Sequence, residues 1–279
     1  MRPNLFALTA DLEESHWWFS ARRRIMRALI ERILPPSRES LIIDVGCGTG
    51  ANIASLANDY ACIGIDPSEV AIGLARARFP SVEFRVGSAP ADLGESAQEA
   101  DLFLLLDVLE HVEDDFAQFS AVASAARAGA LILITVPADP SLWSEHDVSH
   151  GHYRRYEPDR LEMIWQDLPL RVRLMSYFNA RLYPVIRAVR EAGRILGRAS
   201  GARETDLFQP PAPINGLLET IFAGERRRLV ELLEGSRESG YRRGVSLIAV
   251  LEREHGRFEP RPRPPETPPD ALLRSRSPV

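Results

Sequence analysis

Asp44-Val45-Gly46-Cys47-Gly48-Thr49-Gly50 is the stretch on which the fold of this 279-residue chain turns. It ends a short apolar run, Leu41 to Val45, which reads as a buried strand, and it precedes a short helix over Asn52 to Asn58. Glycines at a strand-to-helix turn allow a tight bend and let a ligand approach the backbone, and the helix N-terminus offers unpaired N–H groups. In open α/β sheets, ligands bind beyond the carboxyl ends of the strands, near such a turn. Twenty residues after Gly46, a second strand (Ala61 to Ile65) ends in Asp66, whose carboxylate can accept both hydroxyls of a ribose.

The rhythm continues on both sides. Ser68 caps a helix running to Arg78, and Val82 to Val86 and Leu102 to Leu106 are the third and fourth strands. An Ala-rich helix over Phe116 to Arg127 closes at Gly129, and Ala130 to Val136 is the fifth strand. Strands that are apolar on both faces and alternate with helices predict a parallel sheet covered on both sides. Ahead of the sheet, residues 11–34 read as one helix carrying Trp18, Ile25, Leu29 and Ile33 near helical spacing, stopped by Pro35 and Pro36. After the sheet's fifth strand, residues 137–158 read as a polar loop, Asp159 to Asp167 as a helix and Leu170 to Tyr177 as a strand. Residues 181–198 and 214–234 read as two helices, and Val245 to Leu251 as the last strand. Residues 255–279 are dense in Pro and Arg, a composition that predicts disorder.

An apolar fraction of 45% and a charged fraction of 26% are ordinary for a globular chain, and a net charge of −5 gives no global reason to expect nucleic acid as a partner. Two cysteines, Cys47 and Cys62, make neither a disulfide framework nor a cysteine-rich metal site, and they point to a reducing compartment. No apolar run approaches the ~20 residues of a bilayer span. Met1 to Ala10 lacks the basic start and long apolar stretch of a signal peptide, so a cytoplasmic location is expected.

Read as Gly46-x-Gly48-x-x-Ala51, the decisive loop matches a dinucleotide fingerprint. Read as Asp44-x-Gly46-x-Gly48-x-Gly50, it resembles motif I of class I S-adenosylmethionine-dependent methyltransferases. Asp44 discriminates, because a carboxylate at the strand end repels a pyrophosphate but pairs with the ammonium of a methionine moiety. The resemblance runs from about Leu41 to Leu251: Asp66 in Gly-Ile-Asp-Pro-Ser matches the family's acidic residue after strand two, and Asp107-Val-Leu-Glu-His-Val matches its motif after strand four. It implies a Rossmann-like α/β fold with seven mostly parallel strands, the last one antiparallel and inserted beside the fifth. It also implies S-adenosylmethionine as cofactor. Asp44, Gly46, Gly48 and Gly50 would surround the methionine part, Asp66 with Pro67 after it would hold the ribose, and Asp107 would lie beside the cofactor. Ser88, in Gly87-Ser88-Ala89, would stand where the family often has an acidic partner for the adenine amino group. The resulting organisation is one domain over 1–254, with a helical N-terminal cap (1–36) and a two-helix insertion (180–243) before the last strand.

The segment Trp143 to Tyr156 follows strand five, at the same sheet edge as the cofactor, and gathers His146, His150 and His152 of the chain's six histidines. A histidine, with its ordinary pKa near ~6.5, can remove a proton from a hydroxyl as a methyl group transfers; these three are the catalytic candidates. Arg154 and Arg155 can hold a carboxylate or phosphate of the substrate. The aromatic run Trp17-Trp18-Phe19 would pin its helix to the core through Trp18 and leave Trp17 or Phe19 to roof the cleft. That opening, Trp-Trp-Phe-x-x-Arg-Arg, with the Glu-His-Asp segment at 145–147, resembles bacterial small-molecule methyltransferases of unassigned substrate.

Asp107-x-x-Glu110-His111 also resembles the Glu-x-x-Glu-His metal-ligand set of ubiquinone-pathway O-methyltransferases and of small-RNA 2′-O-methyltransferases. The latter take a later histidine, matched here by His152. Asp107 replaces the first Glu of that set, and Glu-His after strand four occurs in metal-free relatives; no metal is expected. Residues 181–198 place Arg187, Arg190, Arg194 and Arg198 on one side of an amphipathic helix, a pattern that suits a membrane surface or an acidic partner. The expected reaction is methyl transfer to an oxygen of a small-molecule or lipid- or glycan-linked substrate. An NAD-binding oxidoreductase and a non-catalytic cofactor-binding regulator are the alternatives.

Overall fold

The computed structural model describes residues 3–195, 209–256 and 258. Two helices, α1 (Pro3–Leu12) and α2 (Trp17–Ile33), precede the first strand, β1 (Ser37–Val45). There follow α3 (Ala51–Ala54), β2 (Tyr60–Asp66), α4 (Glu69–Arg78), β3 (Glu83–Val86), α5 (Ser96–Glu99), β4 (Leu102–Leu106), α6 (Asp115–Ala125) and β5 (Leu131–Pro137). The second half holds α7 (Glu145–His150), α8 (Pro158–Glu162), β6 (Leu170–Phe178), α9 (Tyr183–Ile195), α10 (Ala212–Ala223), α11 (Arg226–Leu233) and β7 (Ser246–Arg253).

The strands form a single sheet in the order β3-β2-β1-β4-β5-β7-β6. All neighbours are parallel from β3 to β5, whereas β7 runs antiparallel to both β5 and β6. The seven-stranded Rossmann-like architecture expected from the sequence is therefore present, with the last strand inserted beside the fifth. Consecutive side chains of each strand feed opposite faces. Ile42, Leu102, Leu104, Leu133 and Ile248 pack under α2, α10 and α11, with Ile25, Leu29, Phe222 and Leu229. Ile43, Phe103, Leu105, Ile132 and Ala249 pack under α6 and α8, with Phe119, Val122 and Leu161. Burial on both faces is why these strands read as unbroken apolar runs rather than alternating ones.

Three segments differ from the sequence expectation. Residues 11–34 are not one helix: the chain breaks at 13–16, where Glu13 and His16 are buried and the His16 ring accepts from the Trp18 N–H. Residues 214–234 are two helices, parted at Gly224 and Glu225, because Glu225 is fully buried and accepts from the Ala180 and Arg181 N–H groups at the end of β6. Residues 137–158 are not a solvated loop, since they contain α7, closed by a Ser144/Asp147 capping box, and bury Asp147, His150, Arg155 and Tyr156. The helix expected over 181–198 is described to Ile195; Arg198 and nearly all of the expected tail lie outside the described residues.

Candidate active site

The carboxyl ends of β1, β2 and β4 bring the motif residues together. Asp44, Gly46, Gly48 and Gly50 lie at the end of β1, and Asp66 ends β2. Asp66 Oδ2 accepts from the Gly48 N–H at 3.0 Å and Oδ1 from the Ser68 N–H at 2.8 Å, so one carboxylate ties the two turns together. Burial raises its pKa and these two N–H donors oppose the rise. Gly48 has φ +54°, and a Cβ there would meet no atom within 4 Å, which marks open space above the turn.

Asp44 is 1% exposed, and its Oδ2 has no hydrogen-bond partner. Burial pushes its carboxyl up to about 7, with Arg22 pulling it down and Asp66 and Glu13 pushing it further up. An orphaned buried carboxylate oxygen beside an open glycine turn suits a ligand with a cationic ammonium, and this donor set fits the methionine end of S-adenosylmethionine. Pro67 is exposed just beyond Asp66, and Ser88 is exposed after β3. The Ser88 N–H donates to Asp92 Oδ2 at 2.8 Å, which brings a carboxylate beside Ser88.

The turn after α1 reaches the loop. Glu13, 6% exposed, accepts from the Thr49 hydroxyl at 2.8 Å and pairs with Arg78 of α4. Neither partner is close in sequence, and no motif announces Glu13.

Beyond Asp107 lies a cavity of about 600 Å³. Its floor is Leu106 at the end of β4 with Asp107, Glu110 and His111 after it, Pro137 at the end of β5, and Val245 and Ser246 at the start of β7. One wall is Trp17, Trp18 and Phe19 from α2, a second is His146, His150, His152 and Arg155, and a third comes from α9 and Leu218 of α10. All three aromatics of the α2 opening thus face the cavity. Trp17 also packs edge-on against Phe222, and Trp18 carries the Arg22 guanidinium over its ring at 4.9 Å.

Asp107 has a positive φ of 58°, a conformation that costs a non-glycine residue energy unless it is held. It is held by the buried Arg22, at 2.8 Å from Oδ2, and by the Thr135 hydroxyl, which donates to Oδ1 at 3.2 Å. Arg22 also donates to Thr135 Oγ1 at 2.8 Å. Asn179, between β6 and α9, repeats the pattern with φ +51°, 1% exposure and an Oδ1 without a partner, and it lines the cavity.

His146, His150 and His152 are brought together as expected, with ring centroids of His146 and His150 4.0 Å apart. Their surroundings differ. The His150 Nδ1 lies 2.8 Å from the His146 carbonyl. His152 Nδ1 lies 2.9 Å from Asp147 Oδ1, and Asp147 is fully buried and also bound by Arg155. This pairing leaves His152 Nε2 for a ligand. Burial holds His146 and His150 below the ordinary histidine value.

Arg154 and Arg155, candidates for holding a substrate carboxylate or phosphate, both make structural contacts, and Arg155 also lines the cavity. Arg155 is spent on Asp147 and the Ala138 carbonyl, and Arg154 donates to the carbonyls of Val112 and Glu113. Arg154 clamps the segment after β5 to the segment after β4, and Arg155 braces the segment after β5 internally.

The structure also brings Glu110, His111 and His152 together, with one ligand atom from each lying within 4.8 Å of the others. Glu110 is 1% exposed, its Oε2 has no partner, and burial followed by the charge of Asp107 raises its pKa well above the usual range. Burial and the neighbouring His152 push His111 down to about 3, leaving a neutral ring with a lone pair to offer. One carboxylate and two imidazoles suit a divalent transition metal. The Asp147 contact to His152 is the outer carboxylate such sites use to orient a ligating ring.

A family model for the methyltransferase domain matches residues 18–182. A probable S-adenosylmethionine-dependent methyltransferase of Mycolicibacterium smegmatis is 29% identical over 142 residues, covering 48% of this chain and 53% of that protein. A ubiquinone biosynthesis O-methyltransferase of Rhizobium etli is 35% identical over 98 residues, covering 33% of this chain and 39% of that protein. The chain thus spans about half the length, or less, of these curated relatives. Among solved structures, the putative methyltransferase in complex with the Trm112 activator of Haloferax volcanii aligns with a TM-score of 0.56 at 16% identity, over 92% of this chain and 97% of that one. The plantazolicin methyltransferase in complex with S-adenosylhomocysteine aligns with a TM-score of 0.54 at 14% identity, over 90% of both chains.

Proposed function

The chain belongs to the class I S-adenosylmethionine-dependent methyltransferases, and we propose that it methylates an oxygen of a small-molecule substrate seated in the cavity beyond Asp107. The observation that carries this reading is the meeting, at one sheet edge, of an orphaned Asp44 carboxylate under an open glycine turn with a histidine-lined cavity. When bound, S-adenosylmethionine supplies an electrophilic methyl group on a sulfonium.

The residues divide the work. Asp44 pairs with the cofactor's ammonium and Asp66 with its ribose, while Gly46, Gly48 and Gly50 keep the backbone low beneath it. Trp17, Trp18 and Phe19 exclude water from the cavity. The Asn179 amide oxygen accepts a hydrogen bond from the substrate. His152, oriented through Nδ1 by Asp147, takes the hydroxyl proton at Nε2. Alignment supplies most of the acceleration and the base a further 10²–10⁴-fold, roughly. His152→Ala is therefore expected to bind cofactor normally in calorimetry and to lose about that factor in turnover, whereas full turnover in this variant would remove the base assignment.

A second reading rests on the Glu110, His111 and His152 cluster. A divalent ion held there would lower the pKa of a substrate hydroxyl, and His152 would be its ligand rather than the base.

A further inference from the structure

The third wall of the cavity changes character along its length. Leu182, Val185, Ile186 and Val189 follow one another at the i, i+3, i+4, i+7 spacing of a single helix face, and all four line the cavity. Leu182 is 6% exposed, but Val185 and Val189 are 62% and 63% exposed. The stripe therefore begins inside the molecule, three residues from Asn179, and climbs out to the surface. Across from it, α10 contributes Leu218 to the lining, and Ile214 and Leu217 of the same helix are 51% and 59% exposed. Glu110 of the floor, His150 of the neighbouring wall and Asn179 are buried, whereas Val185 and Val189 are exposed, so the buried end of the space is polar and the exposed end of the stripe is aliphatic, with Arg190 beside it.

We infer that the substrate is amphipathic, with a hydroxyl-bearing head at the histidine floor and a hydrocarbon tail that leaves the cavity along the α9 stripe toward α10. The inference rests on the proposed function for the identity of the floor. A tail is the occupant that the continuity of the stripe with the cavity favours. A flat partner surface would cover Val185 and Val189 but would not explain why the same face continues inward to a buried Leu182.

The test uses full-length protein and a series of 4-alkylphenols from methyl to octyl, titrated by calorimetry with and without saturating S-adenosylhomocysteine. Each added methylene is expected to tighten binding about three- to four-fold, the value for moving a CH₂ out of water. Val185→Glu with Val189→Glu, both at exposed positions and so compatible with folding, is expected to flatten that dependence while the methyl member binds within a few-fold of wild type. Affinity independent of chain length in the wild type, or an unchanged slope in the double variant, overturns the inference. So does a flat slope accompanied by a dimer, or by binding to anionic phosphatidylglycerol vesicles, that the double variant loses; the face would then belong to a second copy or to a membrane. A normal chain-length dependence in a protein that binds no S-adenosylhomocysteine would leave the tail site standing and remove the proposed function instead.

Discussion

Arg22 of α2 lies 2.8 Å from Asp107 at the end of β4, and the same guanidinium reaches Thr135 of β5. One cation from the N-terminal cap thereby fixes the carboxylate that stands between the cofactor loop and the substrate cavity.

Replacing that cation tests whether the cap belongs to the active site or merely covers the core. Arg22→Met keeps an apolar stem and removes the charge. Asp107 then loses its cation and keeps only the Thr135 hydroxyl in a strained conformation, but its side chain is 24% exposed and partly hydrated. A loss of about 1–3 kcal/mol is expected, below the ~3–5 kcal/mol for a fully buried pair. Turnover should fall more than stability alone explains at a temperature where the variant is fully folded. Urea denaturation and turnover measured side by side check this; unchanged values in both would make the contact incidental.

Asp44 predicts a pH dependence. Its folded-state value of about 7 lies above the unfolded carboxyl value, so the apo protein binds an extra proton between about pH 4 and pH 7. The stabilisation from that proton is complete below the unfolded value and is lost as pH rises through about 7. Pairing with an ammonium needs the ionised form. Cofactor affinity is therefore expected to rise with pH through this window and to level off above it. Asp44→Asn should bind more weakly and lose the dependence. Calorimetric titrations across the window check both, and a flat wild-type profile contradicts the assignment of Asp44.

The two readings of His152 part under chelation. If it is a base, prolonged treatment with EDTA leaves turnover intact, and Glu110→Gln and His111→Ala cost less than His152→Ala. If Glu110, His111 and His152 hold an ion, EDTA abolishes turnover, a divalent ion restores it, and all three variants suffer alike. Metal analysis of the purified protein gives the same answer without a substrate.

The sheet was legible because Leu102 to Leu106 or Leu41 to Val45 can satisfy their side chains only in a two-sided core, and the glycines with Asp44 and Asp66 are bound to the turns they make. The local signal failed where a polar residue acts across the fold. Glu13 looks like any helix carboxylate until Thr49 and Arg78, 36 and 65 residues away, are folded against it. Glu225 splits what reads as one helix because its partners are the N–H groups of Ala180 and Arg181. The sequence does not show that Arg154 and Arg155 also donate to the Val112, Glu113 and Ala138 carbonyls, since those partners are brought near only by the fold. The histidines were found by their density, but the preference for His152 comes from Asp147, whose burial no spacing announces.

The central claim is that the Asp44–Gly50 turn and Asp66 bind S-adenosylmethionine, and a ligand-stabilisation measurement meets it most directly. Thermal or chemical unfolding is followed with S-adenosylmethionine, S-adenosylhomocysteine and NAD. At a concentration a hundred-fold above the dissociation constant, the first two are expected to stabilise the wild type by about 2.7 kcal/mol and NAD not at all. Asp66→Ala should lose most of that increment, since each charge-assisted hydrogen bond to the ribose is worth about 1.5–3 kcal/mol. Stabilisation by NAD with none by either sulfur compound, or an undiminished increment in Asp66→Ala, would contradict the account.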